Sequence, residues 1–492
     1  MLVLAIWVQE IRPLIAWVPS VIYSLLNTRK LMSEYDIVVV GSGPGGFIAA
    51  IRAAQLGFKA AIIEKEENLG GVCLNWGCIP TKSLLRASEI YRLIKRSEEF
   101  GIKVKDVSFD IQSIVRCSRN IVGKLSSGVA YLMKKNGIRV YQGFSKLAGN
   151  LTIKVSSDKE EQEVSSKHII LATGVRARNL PGIEADGDLV WNAQHAMTQD
   201  RLPKSLLIIG SGAIGIEFAS FYSTLGVDVT VIEVKKAILP LEDKDISNLA
   251  QEIFTRQGIK IYTNNSVKAF TKGKDSIKVQ LSSGERREFD RVIIAVGVQA
   301  STENIGLENT KIKLSASGFI ETNEWYETDE SNVYAVGDVA GPPCLAHKAS
   351  HEAMICIEKI AGKNVHALKK ECIPSCTYSH PQIASVGLTE EQAIKDGYDI
   401  KIGKFHSNFN GKSITLGETE GLVKVIMDKR TGELLGAHMI GAEVTELISN
   451  FVLAKQLEGT DCDIKSAIFP HPTISEMIHE SVLAADDESL NS

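Results

Sequence analysis

A chain of 492 residues, 44% of them hydrophobic and 23% charged, has apolar material for roughly three globular domains. A formal net charge of −4, with no basic stripe or polybasic tail, excludes a nucleic-acid surface built on phosphate contacts. Eight cysteines are too few over this length for a secreted disulfide scaffold, so a close pair among them points to catalysis or metal binding.

Residues 1–31 are apolar and Trp-rich, but Glu10, Arg12, Pro13 and Pro19 interrupt them. No apolar run reaches the ~18–20 residues of a spanning helix. A signal peptide's basic start and small-residue cleavage site are missing, and Glu10 and the shortage of Arg oppose an organelle transit sequence. Residues 1–32 are therefore expected to be an extension outside the fold, and residues 1–31 a misread start upstream of Met32. The competing reading is a weak membrane anchor flanked by Arg29 and Lys30. The expected location is the cytoplasm, or the mitochondrial matrix in a eukaryote.

An internal repeat follows. YDIVVVGSGPGGFIAAIRAAQLGFKAAIIEKEE at 35–67 aligns without gaps on SLLIIGSGAIGIEFASFYSTLGVDVTVIEVKKA at 205–237 once their glycines are matched. Each copy is an apolar strand, a G-x-G-x-x-G turn, a helix ended by Gly57 or Gly226, and a second strand finishing at Glu64 or Glu233. The first glycine (Gly41, Gly210) makes the tight turn and the second (Gly43, Gly212) lets a pyrophosphate approach. The third (Gly46, Gly215) packs helix on strand. The anion then rests on free N–H groups at the helix start. A carboxylate closing the second strand accepts from ribose hydroxyls and repels a 2′-phosphate, so Glu233 favours NAD over NADP. Two such units, each with its acid at the same offset, predict two dinucleotide sites and electron transfer between two cofactors.

Between the copies lies LGGVCLNWGCIPTKSLL, residues 69–85, with Cys73 and Cys78 five positions apart. In regular helix those positions lie about 8.6 Å apart at Cα, beyond the ~7 Å a disulfide tolerates. A bridge therefore needs a break, which Gly70, Gly71 and Gly77 supply. Residues 78–100 predict a long amphipathic helix with Pro80 in its first turn, so Cys78 sits where the helix dipole favours a thiolate. Lys82 follows one turn on, on the same face. A loop of about six residues adds only roughly 2 kcal/mol if bridged, a poor staple and a usable switch. Half of a zinc site and a pair of inert buried thiols stand as the other readings. The nearest zinc partners, Cys372, Cys376 and His380, have the wrong spacing for a knuckle. Cys117, Cys344, Cys356 and Cys462 stand alone and are expected to be ordinary core or surface residues.

Further along, HIILATGVRA (168–177) and RVIIAVGVQA (291–300) form a second matched pair of strands, each ending in Gly (Gly174, Gly297). SNVYAVGDVAG (331–341) adds a strand ending in Gly-Asp, and Asp338 is placed to hold a polyol. Near the end, FPHPTISEMIHE (469–480) offers His471 and Glu476, the histidine–carboxylate combination that deprotonates a thiol near neutral pH. Pro472 fixes the backbone after the imidazole, by hypothesis through a cis bond.

Together GGVCLNWGCIPTK, the paired nucleotide units, ATG at 172–174, GD at 337–338 and HPTISE at 471–476 resemble the class I pyridine nucleotide–disulfide oxidoreductases. The resemblance runs from about residue 34 to about 482. Cys-Leu-Asn and Ile-Pro-Thr-Lys are most similar to the branch that oxidises dihydrolipoyl groups. It implies an α/β fold with two Rossmann-like domains, an NAD domain inserted in a split FAD domain, and a C-terminal α+β dimerisation domain. The expected boundaries are 33–155 for the first FAD part and 156–280 for the NAD domain, with a FAD-domain return strand near 168–174. The second FAD part is expected at 281–355 and the interface domain at 356–492.

The resemblance also implies a Cys73–Cys78 redox disulfide, with Cys73 as interchange thiol and Cys78 facing the flavin. Lys82 would lie beside the flavin, paired with Glu217, and His471 with Glu476 would act across a homodimer interface. FAD would be held by Gly41, Gly43, Gly46, Glu64, Lys82, Thr173, Gly174, Asp338 and Ala346, and NAD by Gly210, Gly212, Gly215, Glu233 and Gly297. No metal is expected. The implied partners are a second copy and the lipoyl domains of 2-oxo acid dehydrogenase or glycine-cleavage complexes. Phe469, where many relatives have His, and residues 297–308 depart from the family pattern without removing a catalytic group. A glutathione-reductase-like activity is opposed by Glu233. A mainly scaffolding flavoprotein or a membrane NADH dehydrogenase would not need the cysteine pair.

Overall fold

The computed structural model describes residues 34–158 and 160–491, so the expectations about residues 1–32 lie outside the described residues. The chain enters on strand β1 (Tyr35–Val40), helix α1 (Pro44–Gln55) and strand β2 (Ala60–Glu64). A short helix α2 (Gly71–Trp76) and a long helix α3 (Cys78–Lys95) follow, broken at Gly77. Helix α4 (Ile111–Lys135) leads to β3 (Arg139–Gln142). Strands β4 (Phe144–Gly149) and β5 (Thr152–Ser156) pair antiparallel, and β5 pairs with the first half of β6 (Glu161–Leu171). The second half of β6 turns parallel to β1.

After β7 (Val175–Ala177) and β8 (Val190–Trp191) comes the second unit: β9 (Ser205–Ile209), α5 (Ala213–Thr224) and β10 (Asp228–Ile232). Helix α6 (Lys244–Arg256), β11 (Lys260–Tyr262) and the antiparallel β12 (Val267–Lys272), β13 (Ile277–Leu281) and β14 (Arg286–Phe289) follow. Then β15 (Arg291–Ile294) pairs with β9 and β8, β16 (Val298–Ala300) with β7, and β17 (Val333–Ala335) with β6. Helix α7 (Ala346–Ile360) precedes β18 (Ser375–Thr377), β19 (Gln382–Gly387), β20 (Ile400–His406), β21 (Leu422–Asp428) and β22 (Leu434–Gly441). Helices α8 (Val444–Gln456) and α9 (Glu476–Ala484) close the chain.

Five sheets form among the described residues, and three of them are large. The first has the parallel order β3-β2-β1-β6-β17 and the second β11-β10-β9-β15-β8. In each, the order reverses beside the glycine turn, between β1 and β6 and between β9 and β15. Such switch points open a crevice at the carboxyl ends of the strands. The third sheet, β18-β19-β22-β21-β20, is antiparallel throughout.

The sheets displace the expected boundaries. The division at residue 280 cuts through the second body, because β15 is a central strand of its sheet. The division at 355 cuts α7, whose Ala353, Cys356 and Ile357 share a core with Ala49, Ala50 and Ala53 of α1. Burial against a non-local partner decides both, and periodicity along the chain does not show it. The matched segments at 174–177 and 297–300 pair with each other as β7 and β16, a two-stranded link between the first two bodies. One apolar core joins Leu84 and Leu85 of α3, Phe218 and Phe221 of α5, and Ile383, Leu422 and Ile440 of the third sheet. That core brings the cysteine-bearing helix against both other bodies.

Candidate active site

Each glycine turn divides into closed and open positions. A Cβ on Gly41 would lie 2.4 Å from the Ala172 carbonyl oxygen, and one on Gly46 1.9 Å from that of Gly41. The second copy repeats this, with Gly210 2.3 Å from the Ala295 oxygen and Gly215 2.0 Å from the Gly210 oxygen. At Gly212 a Cβ would meet nothing within 4 Å, and at Gly43 only the Gly71 Cα at 4.0 Å. Both residues cap a helix with no side chain on its first N–H groups. Open backbone at an uncapped helix start fits an anionic pyrophosphate.

The acids are oriented identically. Glu64 Oε2 accepts from the Ser42 N–H (2.8 Å) and hydroxyl (2.7 Å), and Oε1 from the Glu66 N–H (2.9 Å). Glu233 Oε2 accepts from the Ser211 N–H (3.0 Å) and hydroxyl (2.7 Å), and Oε1 from the Lys235 N–H (2.8 Å). Ser42 and Ser211 thus fix carboxylates whose remaining lone pairs suit ribose hydroxyls. The sequence carried the signal, since both turns read Gly-Ser-Gly.

Around the first switch point, β6 ends at Leu171 beside Val40 of β1 and Ala335 of β17. Thr173, Gly174 and Asp338 follow those strand ends. The buried Thr173 hydroxyl has no hydrogen-bond partner among the described residues, which fits a polar group supplied by a cofactor. Burial raises the Asp338 carboxyl above its usual range against the pull of Lys348. Its turn is braced from α7, with Glu352 accepting the Gly337 N–H (2.6 Å) and Lys348 donating to the Gly341 carbonyl (2.8 Å). Ala346 opens α7, which also lacks a side-chain cap. At the second switch point Gly297 has open space where a Cβ would stand.

Cys73 lies on α2 and Cys78 is the first residue of α3. Gly77 lets the two helices close on one another, since its Cβ would stand 3.2 Å from the Cys73 Cα. Both cysteines are thiols in this structure, and each perturbs the other's titration more than any other group does. The interaction with Cys73 lowers the Cys78 thiol below the ordinary range against burial, with the Lys82 ammonium assisting, and Cys73 is held above that range. Lys82 Nζ donates to both Glu217 oxygens, at 2.8 and 2.9 Å, across 135 residues of sequence. Asn75, which anchors α2 through the carbonyls of Leu69 (3.2 Å) and Gly71 (3.0 Å), was not singled out by the sequence. Nor was Arg119, which bonds the Asn75 carbonyl (2.8 Å) and stacks on Trp76 (4.4 Å).

His471 Nδ1 lies 2.9 Å from Glu476 Oε1, and Glu476 Oε2 accepts the Thr473 N–H at 2.9 Å. The carboxylate fixes the imidazole and leaves Nε2 facing outward, with the side chain 78% exposed. The His471–Pro472 peptide is cis. Within one chain Glu476 is the hydrogen-bond partner of His471, and neither thiol is bonded to it. Phe469 packs its ring on His479, with centroids 5.7 Å apart.

Residues 35–353 match the model of the pyridine nucleotide-disulphide oxidoreductases, and residues 373–482 match that family's dimerisation domain. The chain belongs to this family. A dihydrolipoyl dehydrogenase of Rhizobium etli is 49% identical over 482 residues, 94% of this chain and 100% of that protein. One of Zymomonas mobilis is 46% identical over 94% and 100%, and the mitochondrial one of Mus musculus 38% over 92% and 91%. Among solved structures, LpdA from Mycobacterium tuberculosis superimposes with a TM-score of 0.86 at 23% identity, over 91% of this chain and 99% of that one. Like other pyridine nucleotide-disulphide oxidoreductases, the present chain uses FAD and NAD, and its two cradles fit dinucleotides. No helix among the described residues is long and apolar enough to cross a membrane.

Proposed function

We propose that this protein is a homodimeric dihydrolipoyl dehydrogenase, oxidising dihydrolipoyl groups on the lipoyl domains of a 2-oxo acid dehydrogenase or glycine-cleavage complex with NAD⁺ as acceptor. One observation carries the reading: α2 and α3 close on each other at Gly77, with Cys73 on one, Cys78 opening the other and the Lys82–Glu217 pair one turn on. FAD belongs at the first switch point, on Gly41, Gly43, Gly46, Glu64, Lys82, Thr173, Gly174, Asp338 and Ala346. NAD belongs at the second, on Gly210, Gly212, Gly215, Glu233 and Gly297. The Glu233 carboxylate, held by Ser211 and Lys235, would accept from ribose hydroxyls and repel a 2′-phosphate.

In the oxidised pair, Cys73 and Cys78 share a bond. His471 of the partner subunit takes the proton of the first substrate thiol, and the thiolate attacks the Cys73 sulfur. The Cys73–Cys78 bond breaks and Cys78 leaves as a thiolate, stabilised by Lys82 and the start of α3. His471 of the partner subunit then passes that proton to the departing Cys73 sulfur and takes the proton of the second substrate thiol, whose sulfur attacks the substrate sulfur of the mixed disulfide, releasing Cys73 as a thiol and closing the cyclic disulfide product. The substrate has lost two electrons and two protons, and the cysteine pair has gained the electrons. FAD, when bound, supplies the two-electron acceptor beside Cys78, and NAD⁺ the final hydride acceptor.

The exposed His471 supports action across a dimer, as does Ile468 three residues away, 98% exposed in the single chain. Turnover of dihydrolipoamide with NAD⁺, set against glutathione disulfide with NADPH, tests the substrate; preference for the second pair overturns the reading. His471→Gln lowers turnover by roughly 10²–10⁴-fold. Mixing Cys73→Ser with His471→Gln subunits restores activity, because the mixed dimer contains one intact site. Mixed dimers as inactive as their parents contradict a base supplied in trans.

A further inference from the structure

The Lys82–Glu217 pair has a third neighbour that the proposed chemistry does not use. Tyr378, just after β18, comes from the third sheet, whereas Lys82 comes from α3 and Glu217 from α5. The Lys82 Nζ lies 4.4 Å from the centroid of the Tyr378 ring. The Tyr378 backbone N–H donates to Glu217 Oε1 at 2.9 Å, the oxygen that Lys82 also bonds at 2.8 Å. The Tyr378 side chain also acts on the Cys376 thiol, lowering it against burial.

We propose that Tyr378 is a positioning residue for the redox pair: its ring and backbone N–H hold the Lys82 ammonium and the Glu217 carboxylate in one place beside Cys78. This rests on the reading of Cys78 as the flavin-facing thiol.

A lysine stem is long and freely rotating, and its ammonium gains by moving toward water. Lys82 is a third exposed, so the Glu217 carboxylate alone leaves that route open. The Tyr378 ring, 4.4 Å from the ammonium, opposes that movement by adding a cation–π attraction that strengthens in a desolvated site. The backbone N–H draws on Glu217 from another direction, so the carboxylate cannot follow the ammonium outward. Neutralisation also matters: Glu217 raises the Cys78 thiol and Lys82 lowers it, so the geometry of the pair decides which effect the sulfur feels. The other ionisable groups at this spot are Cys73, Cys376, Glu242 and Glu446, and burial pushes the Cys376 thiol up to about 11. Cys78 is therefore the thiol whose charge Tyr378 controls. Through this contact the third sheet of one chain shapes its own redox site, separately from the histidine it lends to a partner.

The test titrates the long-wavelength absorbance of the two-electron-reduced holoenzyme against pH. That band belongs to the Cys78 thiolate against the flavin, and it fades as the thiolate is protonated. Tyr378→Leu keeps the backbone N–H and removes the ring; it moves the midpoint up by about one pH unit. Tyr378→Met is a second ring-free variant and moves it in the same direction. Tyr378→Phe keeps the ring and titrates like the wild type. In a Lys82→Met background, Tyr378→Leu adds no further displacement, which a merely structural residue would not obey. Wild-type titration by both ring-free variants overturns the inference, and so does a full displacement persisting without Lys82. A wild-type enzyme with no band at all contradicts instead the reading of the cysteine pair.

Discussion

The two nucleotide units keep the same backbone longer than their sequences agree. In the first, the Gly70 N–H donates to the Ser42 carbonyl at 3.1 Å; in the second, Leu239, equally far along the chain from its serine, donates to the Ser211 carbonyl at 3.0 Å. Just beyond, they part. The first copy runs through Gly71, whose Cβ would stand 2.6 Å from the Gly43 Cα, into the helix that carries Cys73. At the position matching Cys73 the second copy has Glu242, half-buried and raised to about 7 by desolvation, and at the position matching Cys78 it has Ser247. Beside Glu242, Asp243 and Asp245 bind Lys424 of β21 at 2.8 and 2.7 Å, and Glu390 completes the cluster at 2.6 Å. One scaffold thus places chemistry after its second strand in one copy and an anchor to the third sheet in the other. The loop at the strand ends is the variable part, and the glycine turn beneath it is not.

The largest effect separating the copies is expected at that slot. Cys78→Ser abolishes turnover while FAD stays bound, as its visible absorbance checks. Breaking the anchor damages stability instead of chemistry. Lys424, 1% exposed, faces Asp243, 2% exposed, so Lys424→Met strands a buried carboxylate at a cost of about 3 kcal/mol. A denaturant midpoint measures it, with turnover per folded molecule unchanged. The anchor also carries a pH signature. Although burial pushes it up, Lys424 and the Glu390 N–H hold Asp243 below the usual carboxylate range. This stabilises the fold above the ordinary carboxylate pKa and is lost as pH falls through the depressed value. Lys424→Met loses that acid dependence. Gly212→Ala, at an open position, leaves the fold intact and weakens NAD binding, read as a raised KM for NAD⁺ with FAD content unchanged. The smallest effect belongs to Ser247→Ala, which removes the hydroxyl bond to the Leu239 carbonyl (3.1 Å) and costs about 1 kcal/mol.

Residues close in sequence were the readable part. Gly41, Gly43 and Gly46, their counterparts, and the acids at fixed offset declare themselves because steric closeness and strand period act locally. The break needed between Cys73 and Cys78 followed from helix geometry, and it falls at Gly77. The continuation of the repeat through Gly70 and Leu239 was hidden, because one backbone hydrogen bond does not constrain residue type. Lys424 carries no local sign of its burial, because its three acids come from the second body and from beside β19. Tyr378 was invisible for the same reason: its partners lie on two other bodies. The boundary near β15 was misplaced because pairing with β9 depends on a sheet that no local pattern announces.

The central claim is that Cys73 and Cys78 pass an electron pair to a flavin, and anaerobic two-electron reduction followed by visible spectroscopy tests it most directly. A long-wavelength thiolate–flavin band should appear, and fade as the Cys78 thiolate is protonated at a pH below the ordinary thiol range. Direct bleaching of the flavin with no such band at any pH would contradict the claim.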